Sequence, residues 1–120
     1  MRFLWVGLAG ALGAMSRYAI SRAVGVTRFP WATFAINVSG AFALALLLTV
    51  VTHRRVSADV ATALSVGFLG AYTTFSTMAW ETFDLGRDGR EVTAALYISA
   101  SVVAGVVAAV CGHALGRALR

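Results

Sequence analysis

The sequence predicts an all-α membrane protein of four transmembrane helices, and three observations carry that prediction. The chain is strongly apolar, its apolar residues fall into four runs, and charge is gathered between the runs. Of its 120 residues 59% are hydrophobic and 12% are charged, whereas soluble domains carry roughly 45–50% apolar and about 25% charged residues. Mean hydropathy is +0.80. The length suits a single transmembrane domain over 1–120, since domains commonly span about 100–200 residues. The formal charge of +5 does not imply a nucleic-acid surface, because all ten basic residues are arginines set singly or in pairs beside apolar runs. Membrane-flanking charge is distributed in this way.

A helix needs about 20 apolar residues to cross roughly 30 Å of hydrocarbon, and the runs match that length. The first extends from about Phe3 to Ile20 and the second from Trp31 to Thr52. Pro30 suits the first turn of the second helix, where its missing N–H costs nothing, and Arg54 and Arg55 close that helix. The third run extends from about Val60 to Phe83 and the fourth from Val92 to Leu115. Asp84, Gly86, Arg87, Asp88, Gly89 and Arg90 form the turn between them. Trp5, Tyr18, Trp31 and Trp80 lie near run ends, at the headgroup level where amphipathic rings are favoured. Arg2 and the small residues of 9–14 also fit a cleavable signal segment. Against that, Gly7, Gly10, Gly13 and Ala14 recur at helical spacing, a face suited to close helix contact. Ala41 with Ala45 and Gly112 with Gly116 form further small faces. Cys111 is the single cysteine; it allows no intrachain disulfide and reads as a small buried hydrophobe.

Alternating helices place Arg2, Arg54, Arg55, Arg117 and Arg120 on one side and Arg22, Arg28, Arg87 and Arg90 on the other, with Arg17 near the second group. Orientation follows an excess of Lys and Arg on the cytoplasmic side. Here the excess is almost nil. Both orientations are expected to insert, and the two together can form an antiparallel, dual-topology homodimer about a twofold axis in the membrane plane.

Two polar features stand inside the runs. Asn37 lies between Ile36 and Val38, and lipid cannot satisfy its amide donors and acceptor. It faces protein, water or an ion; an interhelical hydrogen bond answers the requirement as well as an ion contact does. The third run reads Gly67-Phe68-Leu69-Gly70-Ala71-Tyr72-Thr73-Thr74-Phe75-Ser76-Thr77-Met78. Glycine freedom and hydroxyl competition for backbone groups weaken a continuous helix there, so a break is expected. Unwound backbone at membrane depth lines a cavity or is buried in protein, and its carbonyls can hold a cation; Gly70 and Thr73 are placed for this. Phe75 and Met78, three apart, share a face beside Ser76 and Thr77. A ring edge is electropositive and can meet a small anion, although core packing equally explains an aromatic stripe.

These motifs resemble the small bacterial fluoride channels called Fluc or CrcB. The resemblance covers essentially the whole chain: Gly10 to Tyr18 resembles that family's first-helix motif, Thr33 to Phe42 its second and Gly67 to Thr77 its third, and Tyr97 with Ser101 fits the fourth helix. It implies a passive, fluoride-selective channel in the cell (inner) membrane that exports fluoride from the cytoplasm and lowers its toxicity, working as an antiparallel homodimer with two pathways. It implies a structural sodium ion, not transported, on the Gly70 and Thr73 carbonyls. Along the pathway it implies an Asn37 amide donor, a Phe75 ring edge, a polar track of Ser76, Thr77, Tyr97 and Ser101, an acidic Glu81 near one end, and an electropositive vestibule at Arg17. Read without the family, Glu81 is an interfacial carboxylate and Arg17 an arginine that snorkels. One position departs from the pattern: Met78 stands where a second phenylalanine is usual, and a thioether has no ring quadrupole.

The rival from another class is a small drug-proton antiporter, which also pairs four-helix chains in dual topology. It needs a carboxylate within a helix, and the first run has none. Enzyme chemistry is not expected, since His53 and His113 have no nucleophile or ligand cluster near them in sequence and read as interfacial. Because the arginines balance, tags at either terminus are expected on both sides of the membrane in comparable amounts, measured by protease or thiol accessibility. Two arginines added to one side should polarise insertion; a parent chain found in one orientation only contradicts the dual topology.

Overall fold

The computed structural model describes residues 1–54 and 56–119; Arg55 and Arg120, counted in the arginine balance, lie outside the described residues. Among the described residues every regular element is helical. α1 runs Arg2–Val24 and α2 runs Trp31–His53. The third run comprises α3 (Ala58–Thr62), a π-helical stretch Ala63–Leu69, α4 (Gly70–Tyr72) and α5 (Phe75–Arg87), and α6 (Glu91–Ala118) completes the chain. α1, α2 and α6 are each long and apolar enough to cross a membrane, which makes the chain a multi-pass membrane protein.

Local chemistry sets the boundaries. α1 stops where Gly25 takes φ 71°, a conformation glycine adopts without a Cβ penalty. Pro30 occupies the N-cap of α2, just ahead of its first turn, and its carbonyl accepts the Phe34 N–H at 3.0 Å. The Ser57 side chain caps α3, and Gly89 at φ 73° turns the chain between α5 and α6. Between α4 and α5 the backbone leaves helical geometry. Thr73 has φ −78° and ψ 157°, and Thr74 has φ −150° and ψ 111°.

Close helix contact depends on small residues. α2 packs along α6, α1 along the π-helical stretch, and α5 against α6. A Cβ on Gly67 would lie 2.7 Å from the Val6 carbonyl oxygen, and one on Gly116 would lie 2.8 Å from Thr49 Cβ. Gly13 faces the Phe68 carbonyl and Gly112 the Phe42 carbonyl in the same way, whereas Gly7 meets nothing. The α2–α6 seam also carries a polar clasp: the Thr49 hydroxyl lies 2.7 Å from the Ala45 carbonyl oxygen and 2.9 Å from His113 Nδ1. His113 is thus tied to a neighbouring helix, which its interfacial reading did not include.

Among the described residues only Tyr97 and Ile36 are large side chains buried completely. Leu4, Leu12, Phe83, Val103 and Val110 are exposed, as expected where hydrocarbon is the solvent. Cys111 corrects the sequence reading: it is exposed, not buried. Its neighbour Gly112 takes the face of α6 that meets α2, and the thiol therefore points away from that seam.

The glycine contacts separate two kinds of position. Gly112→Ala and Gly13→Ala should each destabilise the fold by about 1–3 kcal/mol, the usual cost of overpacking. Gly105→Ala, with no atom within 4 Å of its added Cβ, should be neutral or stabilising. Denaturant titration in micelles measures the difference.

Candidate functional site

The site forms around the segment between α4 and α5, where two backbone groups have lost their helical partners. Asn37, projecting from α2, meets both. Its Oδ1 accepts the Thr74 N–H at 2.8 Å, and its Nδ2 donates to the Thr74 carbonyl at 3.1 Å. Thr74 then starts α5: its Oγ1 accepts the Thr77 N–H at 3.3 Å and donates to Thr77 Oγ1 at 3.0 Å. A threonine hydroxyl at an N-cap satisfies one of the donors that a helix start leaves open.

An open-sided cavity of about 350 Å³ adjoins this segment, and Asn37, Gly70, Thr73, Phe75, Met78 and Ser101 all line it. Phe75 is 77% exposed while Met78 is buried, so the two residues on one helical face have different surroundings. Ser101 is buried, and its hydroxyl has no hydrogen-bond partner among the described residues. Buried hydroxyls are nearly always bonded; this one is available to an acceptor in the cavity.

The carbonyls of Gly70 and Thr73 lack the donors that an unbroken helix supplies. In an unbroken helix they would accept from the N–H groups of Thr74 and Thr77. Those donors are engaged elsewhere, on Asn37 Oδ1 and on Thr74 Oγ1. Both residues line the cavity, and hard cations such as sodium take carbonyl oxygen as a ligand.

The remaining predicted residues stand apart from this cavity. Arg17 and Thr77 line a second one of about 240 Å³, with Tyr18, Ser21, Thr33 and Thr74. Thr74 borders both cavities. Tyr97 donates to Glu81 Oε2 at 2.6 Å and Thr33 donates to Glu81 Oε1 at 2.9 Å. Glu81 also borders a third cavity with Arg28, Asp84, Asp88 and Arg90, towards the turn between α1 and α2. Ser76 is exposed, 3.5 Å from the Thr74 hydroxyl. Sequence reasoning missed Thr74 and Thr33 as site residues. The helix-start preference for threonine just before Phe75 was the available signal for Thr74; Thr33 carries none, because its partner is 48 positions away.

The family model described as CrcB-like protein, Camphor Resistance (CrcB), matches residues 4–113. A relative from Acidobacterium capsulatum, named fluoride-specific ion channel FluC, is 45% identical over 121 residues, covering 97% of this chain and 96% of its own. The fluoride-specific ion channel FluC 2 of Listeria monocytogenes is 38% identical over 120 residues, covering 99% of this chain and 93% of its own. The FluC of Magnetococcus marinus is 40% identical over 121 residues, covering 98% of each.

The Glu81 contacts yield a prediction that does not depend on transport. Tyr97→Phe removes a hydroxyl at full burial and should destabilise the fold by about 0.5–1.5 kcal/mol. In a double-mutant cycle with Glu81→Gln the two losses should be non-additive. Additive losses would show that the 2.6 Å contact contributes nothing.

Proposed function

This chain belongs to the CrcB-like family, and from that premise we propose that it is a fluoride-specific ion channel, as its relatives are named. The observation that carries the reading is a set of donors on one cavity: the Ser101 hydroxyl, unpartnered among the described residues, and the second amide hydrogen of Asn37, which faces the weak Met78 thioether acceptor, with the Phe75 ring beside them. Fluoride is small and strongly hydrated, and its water shell must be replaced by oriented donors and ring edges. Neutral donors hold it without the excess grip of a full charge, which lets it leave.

The working unit in this reading is an antiparallel homodimer in the cell inner membrane. Phe75 at 77% exposure and a cavity open on one side leave a pathway that a second copy would complete. The chain positions groups for permeation and carries out no bond chemistry. It lets fluoride leave the cytoplasm down its gradient, which lowers its toxicity. Arg17 in the second cavity adds positive potential near an entrance. Thr77, Ser76, Tyr97 and Glu81 continue the polar route towards the α1–α2 turn. The interruption at Thr73 and Thr74 is taken as the functional break of the third span. A sodium ion on the Gly70 and Thr73 carbonyls would supply fixed positive charge at the subunit contact, bound for structure and not carried across.

Efflux of fluoride from liposomes holding only the purified protein tests the reading. The parent should release fluoride, and folded protein that releases none in sodium buffer refutes it. Asn37→Asp removes the amide donor and the pairing with the Thr74 carbonyl, and Phe75→Ile removes the ring quadrupole. Each should lower flux about 10-fold or more, the scale of one lost interaction of 1.4 kcal/mol, with the dimer intact by size exclusion. Parent-like flux in both variants would make these residues packing elements.

Sodium has its own test. Replacing it on both sides with a large organic cation should suppress fluoride flux, while isotopic sodium should not cross with the anion. Unchanged flux after rigorous sodium removal would eliminate the structural ion and leave the anion pathway standing.

A further inference from the structure

The donors and acceptor of Asn37 can be followed one by one. An amide offers two donor hydrogens and one acceptor oxygen. The oxygen takes the Thr74 N–H at 2.8 Å, and one hydrogen goes to the Thr74 carbonyl at 3.1 Å. This pairing fixes the amide's orientation, because a flipped amide would set a donor against the Thr74 N–H. One hydrogen remains. The group it reaches is the Met78 thioether, with Nδ2 and Sδ 4.0 Å apart.

Met78 is suited to hold that place loosely. It is 8% exposed and packs with Leu85, Ala94 and Tyr97, so protein supports it from behind while it borders the cavity in front. Its thioether is a weak acceptor on an unbranched chain with three rotatable bonds. It can cover an amide hydrogen and yield it to a stronger acceptor by a change of rotamer.

We propose that the Met78 thioether is the resident partner of the last free Asn37 hydrogen, that fluoride must displace it, and that this competition sets how tightly the site holds the ion. The proposal rests on the fluoride reading above and adds an affinity-setting residue to it. While an ion is bound, the sulfur swings aside; as the ion departs, the sulfur takes the hydrogen back. Competition raises the fluoride concentration needed for half-saturation and shortens the time each ion stays.

Two measurements test it on the full chain. In protein labelled at the methionine methyl carbons and held in nanodiscs, the Met78 methyl resonance, assigned by its loss in Met78→Leu, should move in a saturable way with sodium fluoride. Sodium chloride at equal concentration should leave it in place. In liposomes, Met78→Leu keeps much of the volume and removes the acceptor. Its half-saturating fluoride concentration should fall about 2- to 10-fold, the range of one modest hydrogen bond, with no gain in maximal rate. If that variant does not fold, the parent resonance decides, assigned instead by a Met15→Leu subtraction and, of the two methyls left, by the ring-current shift from Tyr97 that buried Met78 has and exposed Met1 lacks. A parent that conducts fluoride with an unmoved Met78 methyl, or a leucine variant whose saturation curve overlays the parent's, overturns the proposal and leaves the channel reading intact. A parent that carries no fluoride overturns both.

Discussion

The pairing of one side-chain amide with one peptide unit, Asn37 with Thr74, is the interaction on which the rest of the site depends. Hydrocarbon offers no hydrogen-bond partner, and each unsatisfied backbone group there costs several kcal/mol. A chain can leave helical geometry at that depth only if something replaces the lost bonds. Asn37 replaces two at once, at 2.8 and 3.1 Å, and Thr74 caps the helix that follows. With its own N–H and carbonyl engaged by α2, Thr74 is held where it borders two cavities. The Gly70 and Thr73 carbonyls are released by the same event, since their usual donors are the ones redirected.

The π-helical stretch prepares this geometry from the other side. Across Ala63–Leu69 the helix is wider than an α-helix, and such stretches often occur at functional sites. Gly67, within it, lies close enough to α1 that a Cβ would sit 2.7 Å from the Val6 carbonyl oxygen. α1 therefore packs on the widened turn itself. Backbone contact fixes the segment leading into α4, and side-chain amide contact fixes the segment leaving it. Leu69, Gly70 and Thr73, between those two anchors, line the cavity that Asn37 borders.

The sequence made the helical class and the membrane setting legible because both follow from composition and run length. A run such as Trp31 to Thr52 needs no partner to declare itself. Asn37 was legible as a polar group that must be satisfied, but its partner was not, since Thr74 lies 37 positions away and no local pattern connects them. Glu81 was ambiguous for the same reason: whether a carboxylate near a helix end faces headgroups or protein depends on Thr33 and Tyr97, which come from α2 and α6. Cys111 was misread because apolar neighbours in sequence do not fix a direction on a helix that is apolar all round. When lipid and protein are both apolar, hydrophobicity no longer tells inside from outside. Glycine position does so instead, and Gly112 beside Cys111 marked the inward face.

The clasp between α2 and α6 has a chemical consequence of its own. A threonine hydroxyl has one proton, and the one on Thr49 is directed to the Ala45 carbonyl. Towards His113 the same oxygen can therefore act only as acceptor, so the imidazole must present Nδ1–H to it. In the neutral ring this selects one tautomer, with the lone pair on Nε2, turned away from the seam. The two helices are thus joined at a ring whose hydrogen position is dictated by a hydroxyl on the neighbouring helix, and that hydroxyl is itself held by its own backbone. The seam therefore selects an orientation of the imidazole as well as a distance between the helices.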